Sequence, residues 1–529
     1  MALPTNLGQI RTRQNGYKRR TPLPTTGLIA LVVVGAALAG GAVTGMFGLM
    51  AVPLAGAALV AVFIMMLGVK IWWWALLVLL FGYAFASRGF ASIGFYPFYI
   101  GEIVLSLGLL TVMVAPFTDR IRLVNPNRFI SWPMLMLALF ILSQVFQTIP
   151  YIGTYQFTTL RDAMVYGYAA FAILVMILIS SRRIEQFTVI YGRFIPLLLL
   201  WFPVLFFISR VSAFNFSFPG ASVPLIFSKG SDVAVHLGGI AAFMLLGLDD
   251  KRRGWPRWMT LALWGFWVTS MAFYGALGRA ALLTGFLSVG IVMMLRPLSA
   301  RWTGPAVMMI FFLSLLLATN TFYSFRIDFG LHREISVEQF TYNITSVLGT
   351  AEGSENDGTR QWRLEWWDEI INYTFNGPYF WTGKGYGINL ADDDGFQVDV
   401  DGALRSPHNG HLTLLARSGV PGFLLWVAFL GSVLLMLVRE ALVNQTRHPW
   451  RSRFAIWLLA YLMAHVLMTG FDVYLEGPMG GIWFWTKIGI ALSFFRDPPE
   501  DETATGQPDL SASTLSLAPG ASGNAHRPV

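Results

Sequence analysis

The chain has 529 residues, 55% of them hydrophobic and only 12% charged, with a formal net charge of +8 and no cysteine. A soluble domain carries about 25% charged residues, so composition excludes an ordinary soluble enzyme, and the missing cysteines exclude disulfides and thiolate metal sites. The positive charge is sorted among connections between apolar runs rather than gathered in one basic patch, so no nucleic acid is expected as a partner.

Residues 1–26 read as a basic cytoplasmic tail, with Arg11, Arg13, Lys18, Arg19 and Arg20. The apolar stretch behind it is too long for a signal peptide, and many more follow. Apolar runs near 20 residues, each enough to cross about 30 Å of hydrocarbon, then recur. Residues 27–323 form an N-terminal transmembrane bundle with spans expected at 27–44, 47–67, 71–86, 100–116, 129–146, 163–179, 187–208, 234–248, 258–274, 280–295 and 306–323. The first two can instead form a re-entrant hairpin. Residues 324–410 are one long polar loop, and 411–496 hold spans at 411–438, 454–471 and 479–495. Residues 497–529, rich in Ser, Ala, Gly and Pro, read as a disordered cytoplasmic tail. The expected fold class is an all-α polytopic membrane protein of about 12–14 transmembrane helices with one long extracytoplasmic loop containing short helices.

Lys/Arg asymmetry orients the bundle. With the N-terminus in the cytoplasm, the inside connections carry Lys70, Arg120, Arg122, Arg128, Arg182, Arg183, Lys251 to Arg253, Arg257, Arg296, Arg301, Arg439, Arg447, Arg451 and Arg453. The short outside connections carry only Arg88, Arg161, Arg210, Lys229 and Arg279, and the long loop falls outside. Arg193 and Lys487 lie within spans and Asp472 at the outer end of one. Charge in a span is costly unless it snorkels, finds a partner or faces a wet cavity.

Arg279 breaks the positive-inside bias. It stands in L-G-R-A-A-L between apolar stretches, at the outer membrane face, where it is either an interfacial anchor or a grip for a lipid phosphate. In the long loop, T-R-Q-W-R-L-E-W-W-D-E-I-I (359–371) reads as an amphipathic helix with tryptophans suited to the headgroup zone. Arg360 and Arg363 are one turn apart and can meet one anion, or pair with Glu365, Asp368 or Glu369. Gly383, Gly385 and Gly387 make a tight turn in W-T-G-K-G-Y-G. The Asp392–Asp401 cluster reads as a solvated loop or a Ca²⁺ loop, without the EF-hand spacing. His408 and His411 follow at the edge of the next span, as structural residues or as a proton acceptor near neutral pH.

Together, L-G-R-A-A-L, G-T-R-Q-W-R-L-E-W-W, N-G-P-Y-F-W-T-G-K-G-Y-G and S-P-H-N-G-H-L-T-L-L resemble the O-antigen ligase/polymerase superfamily, which includes the lipopolysaccharide O-antigen ligase and the Wzy-type polysaccharide polymerases. The likeness covers about 274–437. Gly278 stands where that family usually has Ser. The resemblance implies a GT-C-like, metal-independent, inverting glycosyltransferase of bacterial cell-surface polysaccharide biosynthesis. It would sit in the inner (cytoplasmic) membrane with its active site facing the periplasm. Its donor would be an undecaprenyl-diphosphate-linked glycan; its acceptor would be another glycan for a polymerase or lipid A-core for a ligase. Membrane lipids and other polysaccharide-assembly proteins are the further partners, and no cofactor or metal is implied. Carried over, Arg279 and Arg360 hold the donor diphosphate and His408 is the catalytic base, with Arg363, Asn409, His411 and Arg405 in support. Loop aromatics Trp362, Trp366, Tyr379 and Trp381 are candidates either to stack on sugars or to pack at the interface. Polymerase is favoured over ligase, because its acceptor needs no dedicated core-sugar surface and the loop is acidic. A lipid-linked-sugar transporter or flippase is the reading from another class; it calls for inverted repeats and broken central spans, and no repeat is visible.

Overall fold

The computed structural model describes residues 69–95, 98–115, 131–210, 217, 224–227, 229–248, 256–296, 301–322, 326–328, 334–336 and 356–496. The expected spans at 27–44 and 47–67, both tails and, apart from 326–328 and 334–336, residues 323–355 lie outside the described residues. The chain divides into two compact units, residues 1–72 with 110–121, and residues 73–109 with 122–529. Everything below concerns the second.

Helices follow the apolar runs in order: α1 (Val69–Ala91), α2 (Ile100–Val114), α3 (Ser131–Tyr155), α4 (Phe157–Gly167), α5 (Ala169–Leu178), α6 (Ser181–Ile208), α7 (Gly230–Leu245), α8 (Arg257–Leu277), α9 (Arg279–Leu295) and α10 (Thr303–Phe322). Between α1 and α2 lies a hairpin of β1 (Gly94–Phe95) and β2 (Phe98–Tyr99); after α10 comes a second, β3 (Arg326–Asp328) and β4 (Glu334–Ser336). The long loop holds α11 (Asn356–Phe375) and α12 (Leu390–Asp393), and α13 (Gly410–Val443), α14 (Pro449–Thr469) and α15 (Pro478–Phe494) close the chain. Among the described residues, 6 helices are long and apolar enough to cross a membrane, or up to 7 with one bent pair counted. α2, α7 and α9 are shorter apolar helices. The protein is an all-α polytopic membrane protein, its strands among the described residues limited to the two small hairpins.

The expected span at 163–179 is the bent pair. α4 and α5 meet at 49°, where polar F-T-T-L-R-D-A-M-V-Y-G gives way to A-A-F-A-I-L-V-M-I-L. The charged half thus leaves the direction of the apolar half. α13 is also broken, at Gly419 (φ 67) with Pro421 behind it. Proline has no N–H, so Arg417 O loses its helical partner, and the turn at Gly419 costs Ala416 O its own. The loop replaces both. Lys384 N donates to Ala416 O (2.7 Å), Gly385 N to Arg417 O (3.0 Å), and Val420 N to Phe380 O (2.8 Å).

Around this junction Trp366, Ile370, Tyr373, Leu390, Leu415 and Val420 form an apolar core. The tryptophan face expected to lie among lipid headgroups therefore packs on α13 instead. Trp366 is fully buried, with its indole N–H on Asp394 (2.6 Å), and Trp367 Nε1 donates to Pro407 O (2.8 Å). A helical apolar stripe binds protein and lipid by the same physics, so its period alone does not choose between them. Of the span charges, Arg193 is exposed on α6. Lys487 is buried without a carboxylate partner among the described residues: its ammonium lies over the rings of Tyr461 (3.7 Å) and Trp483 (4.5 Å), and 3.3 Å from His465 Nε2.

Candidate active site

A cavity of about 860 Å³ gathers side chains from α1, α4, the start of α7, α11, the end of the long loop, the 472–477 segment between α14 and α15, and the start of α15. Its cations are Arg88, Arg161, Lys229, Arg363 and Arg405; its anions are Asp162, Asp232, Asp399, Asp472 and Glu476; His408 lies among them.

His408 sits just before α13 with φ 52, a left-handed conformation that non-glycine residues adopt at a cost. Its Nδ1 stands 3.8 Å from Asp472 Oδ1, and its ring is 6.5 Å from that of Trp362, which also lines the cavity. Asp472 is held from several directions. It forms an ion pair with Lys229, accepts from Ser231 Oγ (3.2 Å), and its backbone carbonyl accepts from Gly410 N (3.3 Å). Burial works to raise the Asp472 pKa, but His408 and Lys229 outweigh it and hold the carboxyl well below the usual carboxylate range. A fixed carboxylate beside one imidazole nitrogen orients the ring and favours the proton there, leaving the other nitrogen to accept.

The residues after His408 have structural partners. Asn409 is the N-cap of α13, accepting from His411 N and Leu412 N, both at 3.1 Å. His411 uses both ring nitrogens: Nε2 lies 2.9 Å from Val466 O, and Nδ1 accepts from Trp426 Nε1 at 3.1 Å. Arg405 meets Asp162 (2.9 Å) and the carbonyl of Gly387 (3.0 Å). Buried Arg417 meets the same Asp162 (3.0 Å) and the carbonyls of Gly385 and Ile388. Asp162 in turn accepts from Gly387 N (3.1 Å). These charges clamp the glycine turn, whose Gly383, Gly385 and Gly387 have φ of 62, 82 and 103.

The structure brings His408, Arg363 and Arg405 to one cavity. Arg279 and Arg360 are not among the residues lining it. Arg360 is exposed one turn before Arg363 on α11. Arg279 opens α9 at the same end of the bundle: a Cβ on Gly230, next to cavity-lining Lys229, would lie 3.7 Å from Leu277 at the end of α8. Of the aromatics, Trp366 is in the loop core, Tyr379 packs against that core, and Trp381 is 72% exposed. The aspartate cluster is internally tied. Lys384 Nζ meets Asp393 (2.6 Å) and Asp394 (2.5 Å), and Asp392 accepts from Asn389 (2.5 Å) and Gln397 (2.9 Å).

The sequence reading missed Asp472 as a partner of His408 and gave Glu476 no role. Asp472 carried a signal, as a charge out of place at a span end; Glu476 carried none. Residues 264–427 match the family model described as O-antigen ligase. The matched segment contains His408, Arg279, Arg360 and Arg363, whereas Asp162, Lys229, Asp472 and Glu476 lie outside it. No curated protein matches the chain.

Proposed function

With an O-antigen ligase family domain at residues 264–427 as the premise, we propose that the protein transfers glycan from an undecaprenyl-diphosphate carrier to an acceptor hydroxyl at the periplasmic face of the inner membrane. The observation that carries this reading is His408, held near the Asp472 carboxylate in a cavity lined with arginines. His408 takes the proton of the acceptor hydroxyl. The freed oxygen attacks the anomeric carbon, the bond to the diphosphate breaks, and undecaprenyl diphosphate leaves with the electron pair. Attack opposite the leaving group inverts the centre. Charge builds on the diphosphate as it leaves, and planar, permanently charged guanidinium groups suit it. Arg279 and Arg360 are the clamp, joined by Arg363, which shares the Arg360 face of α11 and lines the cavity. Trp362, beside His408, offers a ring for a sugar to stack on.

Polymerisation is the favoured form of this transfer. The test is purified protein given undecaprenyl-diphosphate-linked repeat units alone. Ladders of product that vanish in His408→Ala support it. Product formed only when lipid A-core is added makes the protein a ligase. No product with either acceptor refutes glycan transfer.

A further inference from the structure

Among the cavity-lining residues other than the arginines, two leave a buried polar atom without a hydrogen-bond partner among the described residues: the Tyr474 hydroxyl and Glu476 Oε1. Buried polar atoms in native proteins are overwhelmingly paired, so such atoms in residues that line a cavity call for an explanation. Both belong to the segment joining α14 to α15, and both are positioned by their surroundings. The Tyr474 ring is 4% exposed, edge-on to His465 with centroids 5.4 Å apart, and it lies against Gly480, where any side chain would collide with it. Glu476 N is tied to Val473 O (3.1 Å).

The chemistry of the pair is complementary. Burial, followed by Asp232 and Asp472, raises the Tyr474 phenol, which therefore keeps its proton and donates. Burial raises the Glu476 carboxyl to about 7 against the pull of Arg417 and Thr413 on α13, with Asp162 on α4 and Asp472 on its own segment adding to the rise. Tyr386 in the glycine turn is also within its field. A phosphate does not suit this place, because Glu476, Asp162 and Asp472 repel it. A sugar hydroxyl does, since it accepts from a phenol and donates to a carboxylate at once.

We infer that Tyr474 and Glu476 form the subsite that grips a hydroxyl of the acceptor sugar, beside the base and apart from the diphosphate clamp. The inference rests on the glycan-transfer reading for the identity of the ligand. It makes Glu476 and Tyr474 specificity-determining residues, and the family-matched segment then holds the base while the 470–477 segment holds the acceptor.

The experiment is calorimetric binding of a soluble repeat-unit oligosaccharide to the full-length protein in nanodiscs. Wild type is expected to bind. Glu476→Gln and Tyr474→Phe are expected to bind about tenfold or more weakly, the size of one lost hydrogen bond to a buried polar partner. Affinity of both variants for undecaprenyl diphosphate is expected to stay at the wild-type level. Tyr474→Phe removes one oxygen and keeps the packing, so it remains informative if Glu476→Gln unfolds. Wild-type oligosaccharide affinity in Tyr474→Phe, or equal loss of undecaprenyl diphosphate binding, overturns the subsite. Weakened oligosaccharide binding in the variants of a protein that forms no product leaves the subsite standing and removes the transfer reading instead.

Discussion

His408 is placed in a left-handed backbone conformation between Pro407, whose carbonyl accepts from Trp367, and Asn409, which caps α13. Such a conformation persists only where its neighbours fix it, and here they aim one imidazole at Asp472. His408→Ala should lower turnover by about 10² to 10⁴ while donor binding survives, read by single-turnover kinetics and a lipid-diphosphate binding assay. Loss of donor binding instead would move His408 into the clamp. His411→Ala should be milder in rate and show mainly in stability, because Nε2 ties α13 to Val466 on α14 and Nδ1 takes the indole N–H of Trp426 within α13. For the clamp, Arg279→Ala, Arg360→Ala and Arg363→Ala should each cost about 3 kcal/mol in the barrier, roughly a hundredfold, with only partial rescue by Lys. If those variants stay active and Arg88→Ala and Arg161→Ala are dead, the diphosphate sits deeper in the cavity. EDTA should leave turnover unchanged; a loss restored by Ca²⁺ would put a cation at Asp392–Asp401. Glu476 adds a pH signature. Its folded pKa of about 7 lies above the ordinary 4.5, so the folded state holds the extra proton. Its stabilising contribution is present below about 4.5 and is lost as pH rises through about 7. Melting temperature should fall over that window in wild type and fall less in Glu476→Gln.

The elements show which parts of the molecule can be read from order in the chain. Most described helices begin and end within about five residues of the expected spans, because length and apolarity define them; α3 instead runs on to Tyr155, past the span end expected at 146, and α4 and α6 begin at Phe157 and Ser181, ahead of the expected 163 and 187. The glycine turn was legible for a similar reason: three alternating glycines have few other uses. What the turn is for was not. Asp162 and Arg417 are far from it in sequence, and the ion cluster that fastens it exists only in the fold. The tryptophans of α11 misled because an amphipathic stripe does not name its partner. Removing Asp162 should therefore release the loop. Asp162→Ala leaves buried Arg417 without its carboxylate, a change typically costing about 3–5 kcal/mol. Protease cleavage within 376–390 should appear in that variant long before general unfolding. Cleavage no faster than in wild type would mean that the backbone bonds to α13 suffice.

At the scale of the whole molecule, the cations sort to two ends. Arg88 on α1, Arg161 on α4 and Lys229 just before α7 line one cavity with His408. Arg296, Arg451 and Arg453 gather elsewhere, around Gly247, Glu440, Gln445 and Ser452. The sequence had placed these two groups on opposite sides of the membrane from loop charge alone. A reporter fused after Asp394 should accordingly read periplasmic and one fused after Arg447 cytoplasmic. A cytoplasmic signal at Asp394 would put the histidine on the wrong side for a lipid carrier presented to the periplasm.

The break in α13 sets a condition on how the chain is made. Ala416 O, Arg417 O and Val420 N find their partners in Phe380, Lys384 and Gly385, residues synthesised earlier. A helix entering the bilayer with those groups bare would carry an appreciable penalty. The loop and α13 must therefore settle together, and biogenesis acquires an order. A ribosome-stalled chain ending inside α13 would hold a loop with nothing complete to dock on. One ending after Val443 would hold the finished junction, and resistance of the loop to protease should arrive between those two lengths.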